Sequence, residues 1–248
     1  MKKYGLLGYP LTHSFSKRYF TEKFEKEDIN SSYENFEIDS IKKFPKVLEA
    51  NPEVFGFNVT IPYKEQVIPY LNELDEAAQE IQAVNTIKVI RTEAGIKLKG
   101  FNTDTFGFKR ALEPLLKPHH KKAIILGVGG ASKAIKYVLR ELGIEYISAS
   151  RRELKTDEIS WEAIDREVIE NHLLIINTTP LGTYPKVATF PNIPYEFIGN
   201  KHLLFDLVYN PEVTQFLAKG LAQGASTKNG YDMLLGQAFK SYEIWNNG

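Results

Sequence analysis

The side chains of this sequence best suited to chemistry lie in a polar turn that follows a short apolar run. Residues 54–57 (VFGF) predict a buried strand, which must end near Pro62 because proline cannot donate to a sheet ladder. Asn58, Thr60 and Lys64 then place an amide, a hydroxyl and an ammonium around one turn. This set suits a small polyhydroxy acid, since ligands of open α/β sheets bind beyond the carboxyl ends of strands.

Each polar residue at the end of a predicted element also has an ordinary structural interpretation. A lone Lys64 is usually a solvated surface charge. Ser14 and Ser16 follow the first predicted strand and either cap the next helix or meet a hydroxylated ligand. Asp104 is well placed to cap a helix and Asn85 to sit in a turn. The residue types alone leave both interpretations open.

A second region predicts a dinucleotide site. An apolar strand at 123–126 is followed by the loop GVGGAS at 127–132, a helix from about 133 to 142 and a strand at 146–150. Glycines permit a tight turn and close backbone approach to a pyrophosphate, which a helix N-terminus also favours. The last glycine of the usual G-x-G-x-x-G pattern is replaced by Ser132. In its strand–loop–helix–strand context the motif is nevertheless a strong signal.

The loop after the second strand of that unit bears on the choice of cofactor. NAD-binding proteins usually carry an acidic residue there, whereas this chain has SRRELK at 150–155. Arg151, Arg152 and Lys155 favour a 2′-phosphate and therefore NADP. Glu153 would repel that phosphate or bind a ribose hydroxyl, so NAD stays open as an alternative.

Composition excludes several classes of protein. The 248 residues include 31 Lys+Arg and 31 Asp+Glu, so the net charge is zero. The composition therefore does not point to nucleic acid or an anionic membrane as a partner. No apolar run approaches the length of a membrane span. There is no cysteine and no His/Asp/Glu cluster with metal-ligand spacing, so no metal is predicted. We expect a cytoplasmic protein with a small-molecule ligand. The sequence shows no clear exposed apolar seam between subunits, so the choice between a monomer and a homodimer stays open.

Taken together, these motifs resemble the shikimate dehydrogenase family over nearly the whole chain. The matching segments, in the order of the family, are SFS at 14–16, NVTIPYK at 58–64, AVNT at 83–86, NTD at 102–104, GVGGA at 127–131, NTTP at 177–180, DLVYNP at 206–211 and GYDMLLGQA at 230–238. Several independent motifs in one order are far more specific than any one of them.

The resemblance implies an α/β protein of two domains separated by a cleft. The N-terminal α/β substrate domain would cover 1–102 and be completed by a C-terminal helix at 231–248. A Rossmann-like NADP-binding domain would cover 103–230. The implied reaction is the reversible NADPH-dependent reduction of 3-dehydroshikimate to shikimate, a step in aromatic amino-acid biosynthesis.

The resemblance also implies roles for individual residues. Lys64 and Asp104 would be the catalytic pair. The substrate-binding residues would be Ser14, Ser16, Thr60, Lys64, Asn85, Asp104, Tyr209 and Gln237. The cofactor-binding residues would be Glu76, Gly127, Gly129, Gly130, Ala131, Ser150, Arg151, Arg152, Lys155, Thr178, Leu207 and Gly230. Whether Lys64 acts as a true acid and base, or mainly by charge and position, stays open.

Two departures from the family pattern leave alternatives. Lys17 stands where the family often has proline, and SRR at 150–152 replaces the usual Asn-Arg-Thr. Glu153 is the best pointer to a quinate/shikimate dehydrogenase that uses NAD(P), although the presence of both Ser14 and Ser16 favours shikimate. A dinucleotide-binding regulator without catalysis is the third hypothesis, and the presence of Lys64 and Asp104 argues against it.

Overall fold

The computed structural model of the chain describes residues 1–11, 15–93, 95–150 and 156–247. The strands in these ranges are β1 (Lys2–Gly8), β2 (Ser31–Glu37), β3 (Val54–Val59), β4 (Glu73–Leu74), β5 (Thr86–Thr92), β6 (Gly95–Phe101), β7 (Lys122–Leu126), β8 (Glu145–Ser150), β9 (Glu158–Ser160), β10 (Leu174–Asn177), β11 (Leu203–Asp206) and β12 (Ser226–Lys228). The α-helices are α1 (Phe15–Lys26), α2 (Phe44–Ala50), α3 (Tyr63–Gln66), α4 (Glu76–Ile81), α5 (Asp104–Leu112), α6 (Gly130–Glu141), α7 (Arg166–Asn171), α8 (Gln215–Ala222) and α9 (Tyr231–Asn246).

The chain divides into two compact units. Unit 1 comprises Met1–Thr103 and Ala238–Gly248, and unit 2 comprises Asp104–Gln237. The first boundary falls next to the predicted division at 102/103. The second falls inside α9, whereas the sequence places it at the start of that helix.

Unit 1 is built on a mixed sheet of order β2-β1-β3-β5-β6-β4. Strand β1 pairs in parallel with β2 and β3, and the β5–β6 hairpin runs antiparallel to β3. The end of α9 covers one face of this sheet. There the indole of Trp245 donates a hydrogen bond to the carbonyl of Ile87 at 3.0 Å. The ring also packs against Gly56, where a Cβ would clash with it. Trp245 also stacks on Tyr4, with the ring centroids 4.7 Å apart.

Unit 2 contains a fully parallel sheet of order β12-β11-β10-β7-β8-β9. The central strands β7 and β10 are continuous apolar runs because helices cover both faces of a parallel sheet. Helices α5 and α9 pack closely against each other. A Cβ added to Gly236 would lie 2.9 Å from the Cα of Gly107. The Rossmann-like architecture expected from the βαβ motif is confirmed.

Two predicted features of this part of the chain differ in detail. The sequence at Asn210 predicts the start of a helix, but α8 begins at Gln215 because the Thr214 side chain accepts the Leu217 N–H as its cap. A helix expected over 65–71 is interrupted after Gln66 and continues as a 3₁₀ turn, Ile68–Tyr70, that contains Pro69. Among the described residues, no helix is long and apolar enough to cross a membrane.

Candidate active site

The polar turn after β3 is fixed by backbone hydrogen bonds. Thr60 donates its N–H to the Leu7 carbonyl at 2.9 Å, and Tyr63 donates to the Thr60 carbonyl at 2.9 Å, which starts α3. The Lys64 carbonyl accepts the N–H of Val84 at 2.8 Å. The backbone of Lys64 is therefore tied to the segment that immediately precedes Asn85. The Thr60 and Lys64 side chains are both half-buried.

Asn58 faces the interior, contrary to its expected place among the ligand-binding groups of the turn. Its side chain is only 6% exposed. Its Oδ1 accepts the hydroxyl of Tyr33 at 2.8 Å, and its Nδ2 donates to Ser241 Oγ at 2.9 Å. The alternation of side chains along β3 turns Asn58 inward, so that its amide serves the framework instead of a ligand.

Asn85 is a buried and hydrogen-bonded polar group of the candidate site. It is 2% exposed, and its Oδ1 accepts the Thr103 N–H at 2.7 Å. The hydroxyls of Thr103 and Thr86 lie 3.1 and 3.2 Å from the same oxygen. Because a backbone N–H can bond only to the amide oxygen, these contacts fix which end of the amide is Oδ1. The Nδ2 group must point away from Thr103, as a donor.

Ser16 and Tyr33 extend this arrangement toward the N-terminus. Ser16 lies in the first turn of α1, and its hydroxyl interacts with the Tyr33 phenol. Burial raises the pKa of Tyr33 by more than this interaction lowers it, so this residue is a neutral hydroxyl at physiological pH. No sequence pattern marks Tyr33 as part of the site, since it lies in a strand of alternating polarity. Ser14 lies outside the described residues.

Three of the predicted substrate residues belong to unit 2. Asp104 is the first residue of α5 and directly follows Thr103, the residue that holds the Asn85 oxygen. Its side chain is half-buried. Gln237 lies on α9 and is half-buried. Tyr209 follows the end of β11 and is 40% exposed.

The glycine loop of unit 2 has the form that a pyrophosphate requires. Gly127 has φ = +111°, and a Cβ there would also meet Thr178 Oγ1 at 2.9 Å. Thr178 donates its hydroxyl to the Leu126 carbonyl at 3.0 Å, which locks two loops together. A Cβ on Gly129 or Gly130 would meet nothing within 4 Å, so a ligand can approach the backbone here.

Ser132 explains the departure from the usual glycine pattern. Its side chain is 2% exposed and its hydroxyl donates to the Gly129 carbonyl at 2.6 Å. This bond closes the first turn of α6 and leaves the N-terminal amides of the helix directed outward. A serine thus provides a local hydrogen bond at a position where other proteins use glycine for close packing.

A cavity of about 310 Å³ opens beside this loop. Its lining consists of Gly127, Val128, Gly129, Ala149, Ser150, Trp161, Thr178, Thr179, Pro180 and Leu181. Open space at the two glycines, a helix N-terminus and a mostly apolar wall fit a dinucleotide. No sequence pattern marks Trp161, which lies after the short edge strand β9, as part of the cavity. Arg151, Arg152 and Lys155 lie outside the described residues.

Asp206 organises the neighbouring strand ends. It is fully buried, and its carboxylate accepts Asn177 Nδ2 at 2.9 Å, the Val208 N–H at 3.0 Å and the Thr214 hydroxyl at 2.6 Å. Burial raises its pKa to about 6 against these hydrogen bonds, which lower it. The carboxylate therefore holds together the loops that follow β10 and β11.

Two further predicted cofactor residues meet at this end of unit 2. Leu207 donates its N–H to the Asn177 carbonyl at 3.0 Å, and Gly230 donates to the Val208 carbonyl at 3.2 Å. A Cβ on Gly230 would overlap the Leu207 carbonyl, so only glycine fits there. Ala131 lies half-buried in the first turn of α6.

Glu76 belongs to unit 1, whereas the glycine loop belongs to unit 2. It is an exposed residue at the start of α4 in unit 1, where Asp75 caps the helix by accepting the Ala78 N–H at 2.8 Å. Its role toward a cofactor stays a prediction. Within the described ranges, no group of three or more His, Cys, Asp or Glu side chains is arranged to hold a metal ion.

Comparison with known proteins adds decisive observations. The profile described as the shikimate dehydrogenase substrate binding domain matches residues 6–87. A shikimate dehydrogenase (NADP(+)) of Halothermothrix orenii is 40% identical, over 97% of this chain and 89% of its own. The chain belongs to the shikimate dehydrogenase family. A second member, from Desulforamulus reducens and of the same name, is 35% identical over 97% of this chain and 88% of its own.

Solved structures of the family agree with the fold. The Thermus thermophilus shikimate 5-dehydrogenase, described in complex with NADP(H) and shikimate, has a TM-score of 0.83 at 31% identity and covers 99% of this chain and 94% of its own. The Listeria monocytogenes shikimate 5-dehydrogenase, described in complex with shikimate and NAD, has a TM-score of 0.87 at 28% identity and covers 99% and 91%. The two-domain α/β fold is that of the shikimate dehydrogenases.

Proposed function

We propose that this protein is an NADPH-dependent shikimate dehydrogenase that reversibly reduces 3-dehydroshikimate to shikimate. The observation that carries the proposal is the oriented amide of Asn85, tied by neighbouring backbone to Lys64 on one side and to Asp104 on the other. The chain is related to shikimate dehydrogenases over nearly its full length, and it carries the amide donor, the ammonium and the carboxylate that such a reaction needs.

Lys64 and Asp104 are the catalytic pair of this proposal. Reduction of a ketone leaves an alkoxide unless a proton arrives at the oxygen, and Lys64 donates that proton in the reductive direction. A positioned acid or base contributes about 10²–10⁴-fold to such a step. Asp104 accepts a hydrogen bond from a neighbouring hydroxyl of the substrate and so fixes the reacting carbon.

The other polar residues hold the substrate. Asn85 donates through Nδ2, and Thr60 and Tyr209 offer hydroxyls. Ser14, Ser16 and Gln237 complete the set that recognises the ring hydroxyls and the carboxylate. Together they orient the substrate, which is where much of the rate gain of a two-substrate reaction arises.

NADPH would supply the hydride when it is bound and leave as NADP+, and the residues of unit 2 fit this cofactor. The amides at the start of α6, including that of Ala131, hold the pyrophosphate, while Ser150 and Thr178 line its path. Arg151, Arg152 and Lys155 bind the 2′-phosphate. Leu207, Gly230 and Glu76 contact the cofactor in this proposal. The protein works in the cytoplasm, with small molecules as its partners.

The competing function is that of a quinate/shikimate dehydrogenase that uses NAD(P), to which Glu153 points. Rates should be measured with shikimate and quinate, each with NADP and with NAD. We expect the highest kcat/KM for shikimate with NADP. A preference for quinate with NAD would select the alternative, and activity with no pair would leave a non-catalytic dinucleotide-binding protein.

A further inference from the structure

A buried polar cluster lies behind Asn85 in unit 1. We call it the Ser241 cluster; it consists of Ser241, Thr86, Thr103 and Asn58, which are 0%, 0%, 2% and 6% exposed. Buried polar groups are costly unless they are hydrogen-bonded. Alanine or valine would fill such places at no polar cost, so four polar side chains together need a reason.

Ser241 is the centre of the cluster. Its Oγ lies 2.9 Å from Asn58 Nδ2, 2.7 Å from Thr86 Oγ1 and 3.3 Å from Thr103 Oγ1. Thr86 Oγ1 in turn lies 3.2 Å from Asn85 Oδ1. The C-terminal helix thereby reaches a predicted substrate residue through a single intervening hydroxyl.

One arrangement of protons satisfies every member of the cluster. The Tyr33 phenol donates to Asn58 Oδ1, so the Asn58 amide can only donate toward Ser241. Ser241 then gives its single proton to Thr86, its shortest contact, and Thr86 gives its own to Asn85 Oδ1. Together with the Thr103 N–H, this fills both lone pairs of Asn85 Oδ1, and the Thr103 hydroxyl, which lies 3.1 Å from that oxygen, donates instead to Thr86 Oγ1 at 3.2 Å.

The relay therefore runs in one direction. It starts at Tyr33, which interacts with the predicted substrate residue Ser16, and ends at the amide oxygen of Asn85, a second predicted substrate residue. The side chains between Tyr33 and Asn85 are buried. Rotation of the Asn85 amide would place an N–H against the Thr103 N–H and against the Thr86 hydroxyl, and both donors would lose their acceptor.

We propose that Ser241 and Thr86 are positioning residues, which hold the Asn85 amide with its N–H donors directed at the substrate. The proposal rests on the proposed function in one respect, namely that Asn85 binds the substrate. A purely structural purpose would be met equally well by apolar side chains, because replacing buried hydrogen-bonded partners with apolar groups of similar shape is nearly neutral.

Steady-state kinetics of three variants test the proposal. Ser241→Ala and Thr86→Val remove the two hydroxyls, whereas Thr86→Ser keeps the hydroxyl and removes only a methyl. We expect the first two to raise KM for shikimate about tenfold, the equivalent of one hydrogen bond, with kcat and KM for NADP near wild type. Thr86→Ser should stay close to the wild type.

Ser32→Ala is the matched control. The Ser32 hydroxyl is also buried in unit 1, but it has no hydrogen-bond partner among the residues that the structure describes. Its removal should leave all kinetic constants unchanged. A structural role for Ser241 would instead lower the thermal midpoint without altering KM for shikimate. If both Ser241→Ala and Thr86→Val keep the wild-type KM, the positioning role is wrong.

A second readout separates this inference from the proposed function. The side-chain amide signals of Asn85, assigned in ¹⁵N-labelled protein with Asn85→Asp, report its orientation without any substrate. Ser241→Ala and Thr86→Val should shift these signals and Ser32→Ala should not. An inactive wild type would sink the proposed function alone, whereas unshifted Asn85 signals would sink the positioning role alone. Should Ser241→Ala not fold, the Thr86→Val and Thr86→Ser pair decides.

Discussion

At the scale of single residues, Asn85 illustrates how a fold decides what a side chain can offer a ligand. The sequence predicts an amide in a turn, which could accept or donate. In the structure the Thr103 N–H and the Thr86 hydroxyl occupy Oδ1, so that only the donor end remains to be directed outward. The sequence shows that residue 85 is an asparagine, but which end of its amide faces a ligand depends on partners that only the fold brings to it.

Asn85→Asp tests this polarity. Aspartate keeps an oxygen for the Thr103 N–H but replaces the donor with a charged acceptor. We expect kcat/KM for shikimate to fall about a hundredfold, since a substrate group is left facing a charge without a donor. Asn72→Asp is the control, because Asn72 Oδ1 likewise accepts a backbone N–H, that of Leu98, at 2.7 Å in the same unit. An Asn85→Asp enzyme within threefold of wild type would contradict the donor role.

Asp206 allows a prediction about pH. Its pKa is raised from 3.8 to about 6, chiefly by burial, so the folded state binds its proton more tightly than the unfolded state does. The stability that this proton contributes is therefore present below pH 3.8 and is lost as the pH rises through about 6. Asp206→Asn cannot titrate and escapes this loss.

The measurement is urea unfolding of Asp206→Asn and wild type at pH 4 and pH 7. From pH 4 to pH 7, the difference in free energy of unfolding between Asp206→Asn and wild type should shift in favour of the variant by up to about 3 kcal/mol. Asp165→Asn, an exposed cap in the same unit, should change by less than about 0.5 kcal/mol. A pH-independent difference for Asp206→Asn would rule out the raised pKa.

At the scale of elements, the sequence performs well where a signal is local. The alternating residues at 86–91 and 96–101, separated by a turn at 93–95, predict a hairpin, and it is present as β5 and β6. The predicted βαβ unit is present as β7, α6 and β8. The start of α8 was missed because Thr214 is selected as the cap by its bond to buried Asp206. No local pattern shows that Asp206, at the end of the preceding strand, is buried and accepts the Thr214 hydroxyl.

Gly130→Ala separates the two uses of the glycine loop. Gly130 is the first residue of α6, and a Cβ there meets no protein atom within 4 Å. Alanine should therefore leave the stability unchanged or raise it by up to about 1 kcal/mol. It should also raise KM for NADP about tenfold, because the methyl group enters the space that a pyrophosphate needs.

The control for this variant is Gly199→Ala, which also meets open space but lies away from the cavity. Thermal unfolding and the KM for NADP should be measured for both variants. An unchanged KM in a stable Gly130→Ala protein would show that the pyrophosphate does not approach this part of the loop.

At the scale of the whole molecule, the sequence predicts two α/β units and the kind of sheet in the second. It does not predict that Asn58 bonds Ser241 across 183 residues, since no local pattern marks a partner that only sheet register and helix docking bring near. It likewise does not show that α9 contributes its first part to unit 2 and its last part to unit 1. Motif order identified the family, whereas the buried connections required the fold.

The central claim is that this chain reduces 3-dehydroshikimate with Lys64 as its proton donor. The most direct test is the initial rate of NADPH oxidation with 3-dehydroshikimate, measured side by side for wild type and Lys64→Ala at matched concentrations of folded protein. We predict turnover by the wild type and a rate at least about 10²-fold lower for the variant. A wild type without activity, or a Lys64→Ala protein that turns over nearly as fast, would contradict the account.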